Sequence, residues 1–179
     1  MIKAIAFDWS NTLMREIPLI RRPSARSPQM EVVPGVTSAL KELHQQFLCC
    51  IASNARGPEV SALNMVLERA GLAQYIGHVF TAQELGAPKP EARFFHSLLY
   101  KLMLKPHECV MIGDDYNVDI AGAKAVGMKT IWFIERTNQE ARDADVVIGA
   151  MSELATAVGK LAAQGEREAT RPRVATPSP

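Results

Sequence analysis

No stretch of this 179-residue sequence approaches the roughly 20 consecutive apolar residues that a membrane-spanning helix needs. Net charge is equally scarce. Lys and Arg number 20 against 19 Asp and Glu, leaving +1, so no global field exists to recruit nucleic acid or an anionic membrane. Cysteine is sparse and odd in number. Cys49 and Cys50 adjoin inside an apolar run and Cys109 stands apart, which excludes a disulfide framework and predicts reduced, buried thiols. Their spacing fits no zinc motif. His44, His78, His96 and His107 show no ligand spacing, and no internal repeat is present. The stretch Met1 to Asp8 is too short for the apolar region of a signal peptide. These absences predict a soluble, cytoplasmic protein.

What is present is the ordinary composition of a globular chain, 47% hydrophobic and 22% charged, long enough for one domain with a proper core. Short apolar runs read as buried strands: Ile2 to Phe7, Phe47 to Ala52, His78 to Thr81, Cys109 to Ile112, Lys129 to Phe133 and Val146 to Ile148. Helical patterns lie between them. Pro34 opens one that runs to about Gln46, with Val36, Leu40 and Leu43 as its apolar face. Others run from Pro58 to Ala70 with Gly71 as terminator, from Ala92 to Leu104, from Val118 to Val126, and from Met151 to Ala163.

Met14 to Val33 contains Pro18, Pro23 and Pro28. Three prolines oppose a helix, so this segment is expected to form a flap or irregular excursion. The residues from Gln164 to Pro179 are polar and without apolar period, and are expected to be a disordered tail. The whole reads as one domain, residues 1–163, with a flap at 14–33. Strands alternating with helices imply an α/β three-layer sandwich around a central parallel sheet. In such sheets ligands bind beyond the carboxyl ends of the strands. Asp8, Ser53 and Asp114 fall at three of those ends, and Lys89 follows a fourth.

These residue types suit phosphoryl transfer. An aspartate can attack phosphorus and form an aspartyl-phosphate. A lysine and fixed donors can neutralise the equatorial oxygens. Carboxylates supply the oxygen ligands that magnesium prefers.

Four segments together resemble the motifs of the haloacid dehalogenase superfamily. Asp8-Trp9-Ser10-Asn11-Thr12 resembles the first motif, usually written DxDxT. Ser53-Asn54 resembles the second, and Lys89-Pro90 with Phe95 downstream the third. Gly113-Asp114-Asp115, followed by Asp119-Ile120-Ala121-Gly122-Ala123, resembles the fourth. The resemblance implies a Rossmann-like hydrolase, in first place a phosphatase, that uses Mg2+ as cofactor. Asp8 would be nucleophile and metal ligand. Ser10 would lend its backbone carbonyl to the metal, and Asp114 its carboxylate. Ser53 would bond the phosphoryl oxygen, and Lys89 would balance charge and position the nucleophile. Asn54 and Arg56 are the further substrate-binding candidates, and Asp115 or Asp119 would assist.

One departure matters. Phosphatases of this superfamily carry a second aspartate as general acid and base where this chain has Ser10. That contribution is worth roughly 10²–10⁴-fold, and serine is too weak an acid to protonate an alkoxide. Metal binding through the backbone survives the change. The alternative reading is therefore a non-catalytic or weakly active phosphate-binding or regulatory relative.

Other branches of the superfamily fit less well. Phosphonoacetaldehyde hydrolases use a cap lysine, and Met14 to Val33 has none. The intervals from Leu13 to Ser53 and from Ser53 to Lys89 leave no room for a large cap. A nearly capless site is expected, open to a phosphorylated small molecule or a macromolecule, with the flap or a homo-oligomeric partner to exclude water. Arg15, Arg21, Arg22 and Arg26 read as a solvated basic flap or as contacts to an anionic substrate. Trp9 either stacks on substrate or packs beside the flap.

Overall fold

The computed structural model describes residues 1–17, 29–135 and 143–170. In chain order the elements are β1 (Ala4–Phe7), β2 (Met14–Ile17), β3 (Gln29–Val32), α1 (Val36–Leu43), β4 (Leu48–Ser53) and α2 (Pro58–Arg69). There follow β5 (His78–Thr81), α3 (Ala82–Leu85), α4 (Ala92–Leu102), β6 (Cys109–Gly113), α5 (Ala121–Ala125), β7 (Lys129–Phe133), β8 (Val146–Ile148) and α6 (Leu154–Thr170).

Neighbouring residues of a strand face opposite sides of its sheet, and three strands here bury both. In β1, Ile5 and Phe7 join one apolar cluster while Ala4 and Ala6 join the other. In β4, Cys49 and Ile51 oppose Cys50 and Ala52, and in β6, Val110 and Ile112 oppose Cys109 and Met111. Strands buried on both faces read as continuous apolar runs, which is why they are visible in the sequence. Leu40 of α1, Leu63 and Leu67 of α2, and Leu154, Val158 and Leu161 of α6 cover the first face. Leu85 of α3, Phe94, Phe95 and Leu98 of α4, and Ala123 of α5 cover the second. On that second face β1 and β4 present only Ala and Cys, which leaves room for the two phenyl rings. Both rings are fully buried, each burial contributing about 2–3 kcal/mol.

The sheet is parallel throughout, in the order β5-β4-β1-β6-β7-β8. The chain leaves β1 toward β4 and β5, then returns to β6 on its other side. The switch point therefore lies between β1 and β6, and Asp8 and Asp114 follow those two strands. The expected three-layer α/β sandwich is present.

Three local expectations change. The segment after Leu13 is not irregular at its ends: β2 and β3 pair antiparallel, Met14 with Val32 through Ile17 with Gln29. Its three prolines all fall within residues 18–28, outside the described residues together with Arg21, Arg22 and Arg26, so the flanks are free to pair. A short helix, α3, stands where a loop was expected, capped by the Thr81 hydroxyl accepting from the Glu84 N–H at 3.2 Å. The last helix continues to Thr170 rather than ending at Ala163. Gln164, Glu166, Arg167, Glu168 and Ala169 are good helix formers and no proline intervenes, so a helix anchored by its buried first half runs on past Gly165. Residues 171–179 lie outside the described residues.

All three cysteines are free and buried. Burial pushes the thiols of Cys49 and Cys109 up to about 12 and that of Cys50 up as well, so they act as apolar side chains. Among the described residues, no helix is long and apolar enough to cross a membrane.

Candidate active site

A cleft of about 620 Å³ opens at the carboxyl ends of β1, β4 and β6. Asp8 enters it directly from β1. Its N–H donates to the Ile112 carbonyl at 2.8 Å, which ties the end of β1 to β6. The chain then turns sharply: the Trp9 carbonyl accepts from the N–H groups of Leu13 and Met14 at 3.1 and 3.0 Å, and Asn11 adopts φ 56. This turn buries Thr12 completely. The Thr12 hydroxyl lies 3.4 Å from Asp8 Oδ2 and 3.5 Å from Asp114 Oδ1, so it stands between two carboxylates and can donate to either.

Lys89 links the charges. Its Nζ donates to Asp8 Oδ1 at 2.5 Å and to Asp119 Oδ1 at 2.7 Å, and the residue is 3% exposed. Burial alone would lower the lysine pKa. The charges and hydrogen bonds of Asp8 and Asp119 outweigh that and hold it above its ordinary value, so the ammonium form persists. Asp119 is buried too, and its Oδ2 accepts from the Asp115 N–H at 3.2 Å. Burial and the neighbouring Asp8 push Asp119 up to about 7, against the pull of Lys89. Burial, then the charge of Asp8, also raises Asp114.

Two glycines permit this packing. A Cβ on Gly113 would lie 2.2 Å from Asp119 Oδ2, and one on Gly122 would lie 2.6 Å from Phe95 Cε2 and 2.8 Å from the Pro90 carbonyl oxygen. Gly113 thus lets Asp119 reach Lys89, and Gly122 lets α5 close on the Lys89-Pro90 loop. The backbone after Asp115 is a π-helical turn, Tyr116–Ile120. The Asp115 carboxylate accepts from the Asn117 and Val118 N–H groups at 2.9 and 3.0 Å, so Asp115 is a cap. On the far side, the indole N–H of Trp132 donates to the Asp114 carbonyl at 2.9 Å and holds that loop in place.

Ser53 ends β4, is 5% exposed, and lines the cleft with its Oγ accepting from the Ala55 N–H at 3.2 Å. That leaves the hydroxyl proton free to point at an oxyanion. Asn54 also lines the cleft, but its amide is engaged with the Lys89 backbone, donating to the carbonyl at 3.1 Å and accepting from the N–H at 2.7 Å. Ser10 is exposed at the cleft mouth. Arg56 is exposed before α2 and does not line the cleft. Its backbone N–H donates to Glu59 Oε2 at 3.1 Å, and Glu59 takes the position facing the cleft.

The structure thus brings together Asp8, Ser10, Ser53, Asn54, Lys89 and Asp114 and leaves Arg56 outside. Asp119, open in role from sequence, and Thr12, unassigned there, both stand in the motif segments and both meet the site. Glu16, Met30 and Glu59 were unassigned as well, their signal being strand and helix periodicity rather than any motif.

Carboxylate oxygens of Asp8, Asp114 and Asp119 lie within 4.8 Å of one another. An all-oxygen donor set suits a hard divalent cation such as Mg2+. Asp119 is 1% exposed and holds Lys89 through one oxygen and the Asp115 N–H through the other, whereas Asp8 and Asp114 are only half-buried and reach the cleft.

Residues 20–127 match the family model of haloacid dehalogenase-like hydrolases. The chain is 36% identical over 110 residues to the ribulose-1,5-bisphosphate 5-phosphatase of Halopiger xanaduensis, covering 62% of this chain and 45% of that one. It is 35% identical over 138 residues to a glyceraldehyde 3-phosphate phosphatase of Methanothermobacter thermautotrophicus, covering 76% and 60%. The chain spans about half the length of the curated relatives it matches. Among solved structures, a haloacid dehalogenase-type phosphatase from Thermococcus onnurineus superposes with a TM-score of 0.74 at 23% identity, over 88% of this chain and 98% of that one, a likeness of fold. With the family model matching more than half its length, this chain belongs to the haloacid dehalogenase-like hydrolases.

Proposed function

We propose that the protein is a Mg2+-dependent phosphohydrolase that works through an aspartyl-phosphate on Asp8. The observation that carries this reading is Lys89 Nζ bridging Asp8 and Asp119 at the switch point, with the Asp114 carboxylate beside them. In the first step an Asp8 oxygen attacks phosphorus and the bond from phosphorus to the leaving oxygen breaks. In the second, water attacks the same phosphorus, inorganic phosphate leaves, and Asp8 is restored as carboxylate. Lys89 fixes the orientation of Asp8 and offsets charge. Ser53 donates to a phosphoryl oxygen. Asn54 positions Lys89 from behind.

Asp8 and Asp114, with the Ser10 carbonyl, would hold Mg2+, which supplies charge neutralisation at the transferring group when bound. Asp119 belongs with Lys89. The substrate class is a phosphate monoester of a small molecule, in keeping with the sugar-phosphate and triose-phosphate phosphatases among the relatives.

Ser10 cannot protonate a departing alkoxide, so turnover should favour aryl esters, whose leaving groups depart as stable anions. It also sustains a second reading, a phosphate-binding relative without useful turnover. Replacing Ser10 with Asp separates the two. A gain of roughly 10²-fold or more on an alkyl phosphate, with aryl phosphate little changed, indicates a working site short of one acid. Absence of turnover by either form, with Mg2+ and phosphate still bound, favours the binding role.

A further inference from the structure

The cleft has a second half that the chemistry at Asp8 does not use. Hairpin register builds one wall. Glu16 lies directly across from Met30, and Arg15 across from Glu31. Opposed residues of antiparallel strands share a face. Glu16 and Met30 line the cleft. Arg15 and Glu31 occupy the other face, where Arg15 bonds Glu31 at 2.8 Å and Glu135 at 2.8 and 3.0 Å. The opposing wall is one stripe of α2: Glu59, Ala62, Leu63 and Val66 line the cleft at helical spacing. Trp9, half-buried, completes the apolar lining.

The walls therefore offer apolar surface and two carboxylates. Glu16 and Glu59 are both exposed. Among the described residues, Lys89 is the one basic side chain lining the cleft, and it is committed to Asp8 and Asp119. A leaving group here meets no free cation among these residues. A second phosphate or a carboxylate on it would be brought beside two like charges.

Resting on the phosphohydrolase reading above, we infer that the cleft selects monoesters whose leaving group has an apolar body and a cationic end, and disfavours a second anionic group. The body packs against Trp9, Met30, Leu63 and Val66. The cationic end meets Glu16 and Glu59.

Three aryl phosphates test this: 4-(2-aminoethyl)phenyl, 4-propylphenyl and 4-(2-carboxyethyl)phenyl phosphate. Their phenol leaving groups have nearly equal acidity, because two methylenes insulate the charged end. With Mg2+, kcat/KM should fall in that order, by roughly tenfold from the cationic to the anionic ester, as expected for partly screened charge pairs. In the double variant Glu16→Gln, Glu59→Gln the ratio should approach one. Equal or faster turnover of the anionic ester overturns the inference. So does an unchanged ratio in the double variant.

Should no ester turn over, the same series is titrated calorimetrically into the wild-type protein with Mg2+. The predicted order of affinities then upholds the selectivity while the hydrolase reading fails. Equal affinities, or the reverse order, overturn the selectivity. No binding of any ester overturns both.

Discussion

Asn54 and Lys89 hold each other through two hydrogen bonds, amide to carbonyl at 3.1 Å and N–H to amide oxygen at 2.7 Å. The side chain that sequence reasoning offered to substrate is thus the clamp that places the lysine. Asn54→Ala removes both bonds and should cost about 1–2 kcal/mol of stability. It should lower kcat by roughly 10-fold or more with KM little changed, as loss of transition-state positioning does. Steady-state kinetics on an aryl phosphate decide the matter. A raised KM at constant kcat would mark Asn54 as a substrate contact instead.

Gly113 gives way to Asp119. In Gly113→Ala the new Cβ would stand 2.2 Å from the buried carboxylate, and overpacking of this kind costs about 1–3 kcal/mol. Gly159, within α6, has nothing within 4 Å of such an atom. There Gly→Ala should add about 0.5–1 kcal/mol through helix propensity. Urea unfolding of the pair should move the midpoints in opposite directions. Equal shifts would mean that Asp119 has room to move.

The carboxylates set a pH dependence. Asp119, at about 7, and Asp114 both bind a proton more tightly folded than unfolded. Their contribution to stability is full below the unfolded carboxylate range, about 4. It is lost as pH rises through the folded values. Metal-free protein should therefore lose stability between about pH 4 and 7, and Mg2+, which favours the ionised forms, should stabilise more as pH rises. Glu108, held low at about 2 by Lys3, acts in the opposite sense and is shared by all variants. The difference between wild type and Asp119→Asn isolates the effect. Melting curves with chelator that coincide in their pH profiles for both proteins would contradict the assignment.

The parallel strands were legible because burial on both faces writes continuous apolar runs, and the motif residues were legible because they stand at strand ends. The hairpin was not. Its two strands are short, and the prolines of residues 18–28 mask a period that Glu16 and Met30 follow. Asp119 was ambiguous because its partner, Lys89, lies far away in sequence, and only the close approach allowed by Gly113 brings them together. Adjacency of Arg56 to Ser53 in sequence does not fix where its side chain lies: it stands exposed before α2, and Glu59 takes the position lining the cleft.

Attack of Asp8 on phosphorus leaves a covalent trace. Acid quenching during turnover of an aryl phosphate with Mg2+, followed by peptide mass analysis, reads it directly. One added phosphoryl group is expected on the peptide carrying Asp8, absent without Mg2+, with both the adduct and turnover lost in Asp8→Asn. Turnover that persists undiminished in Asp8→Asn, with no phosphorylated peptide, would contradict it.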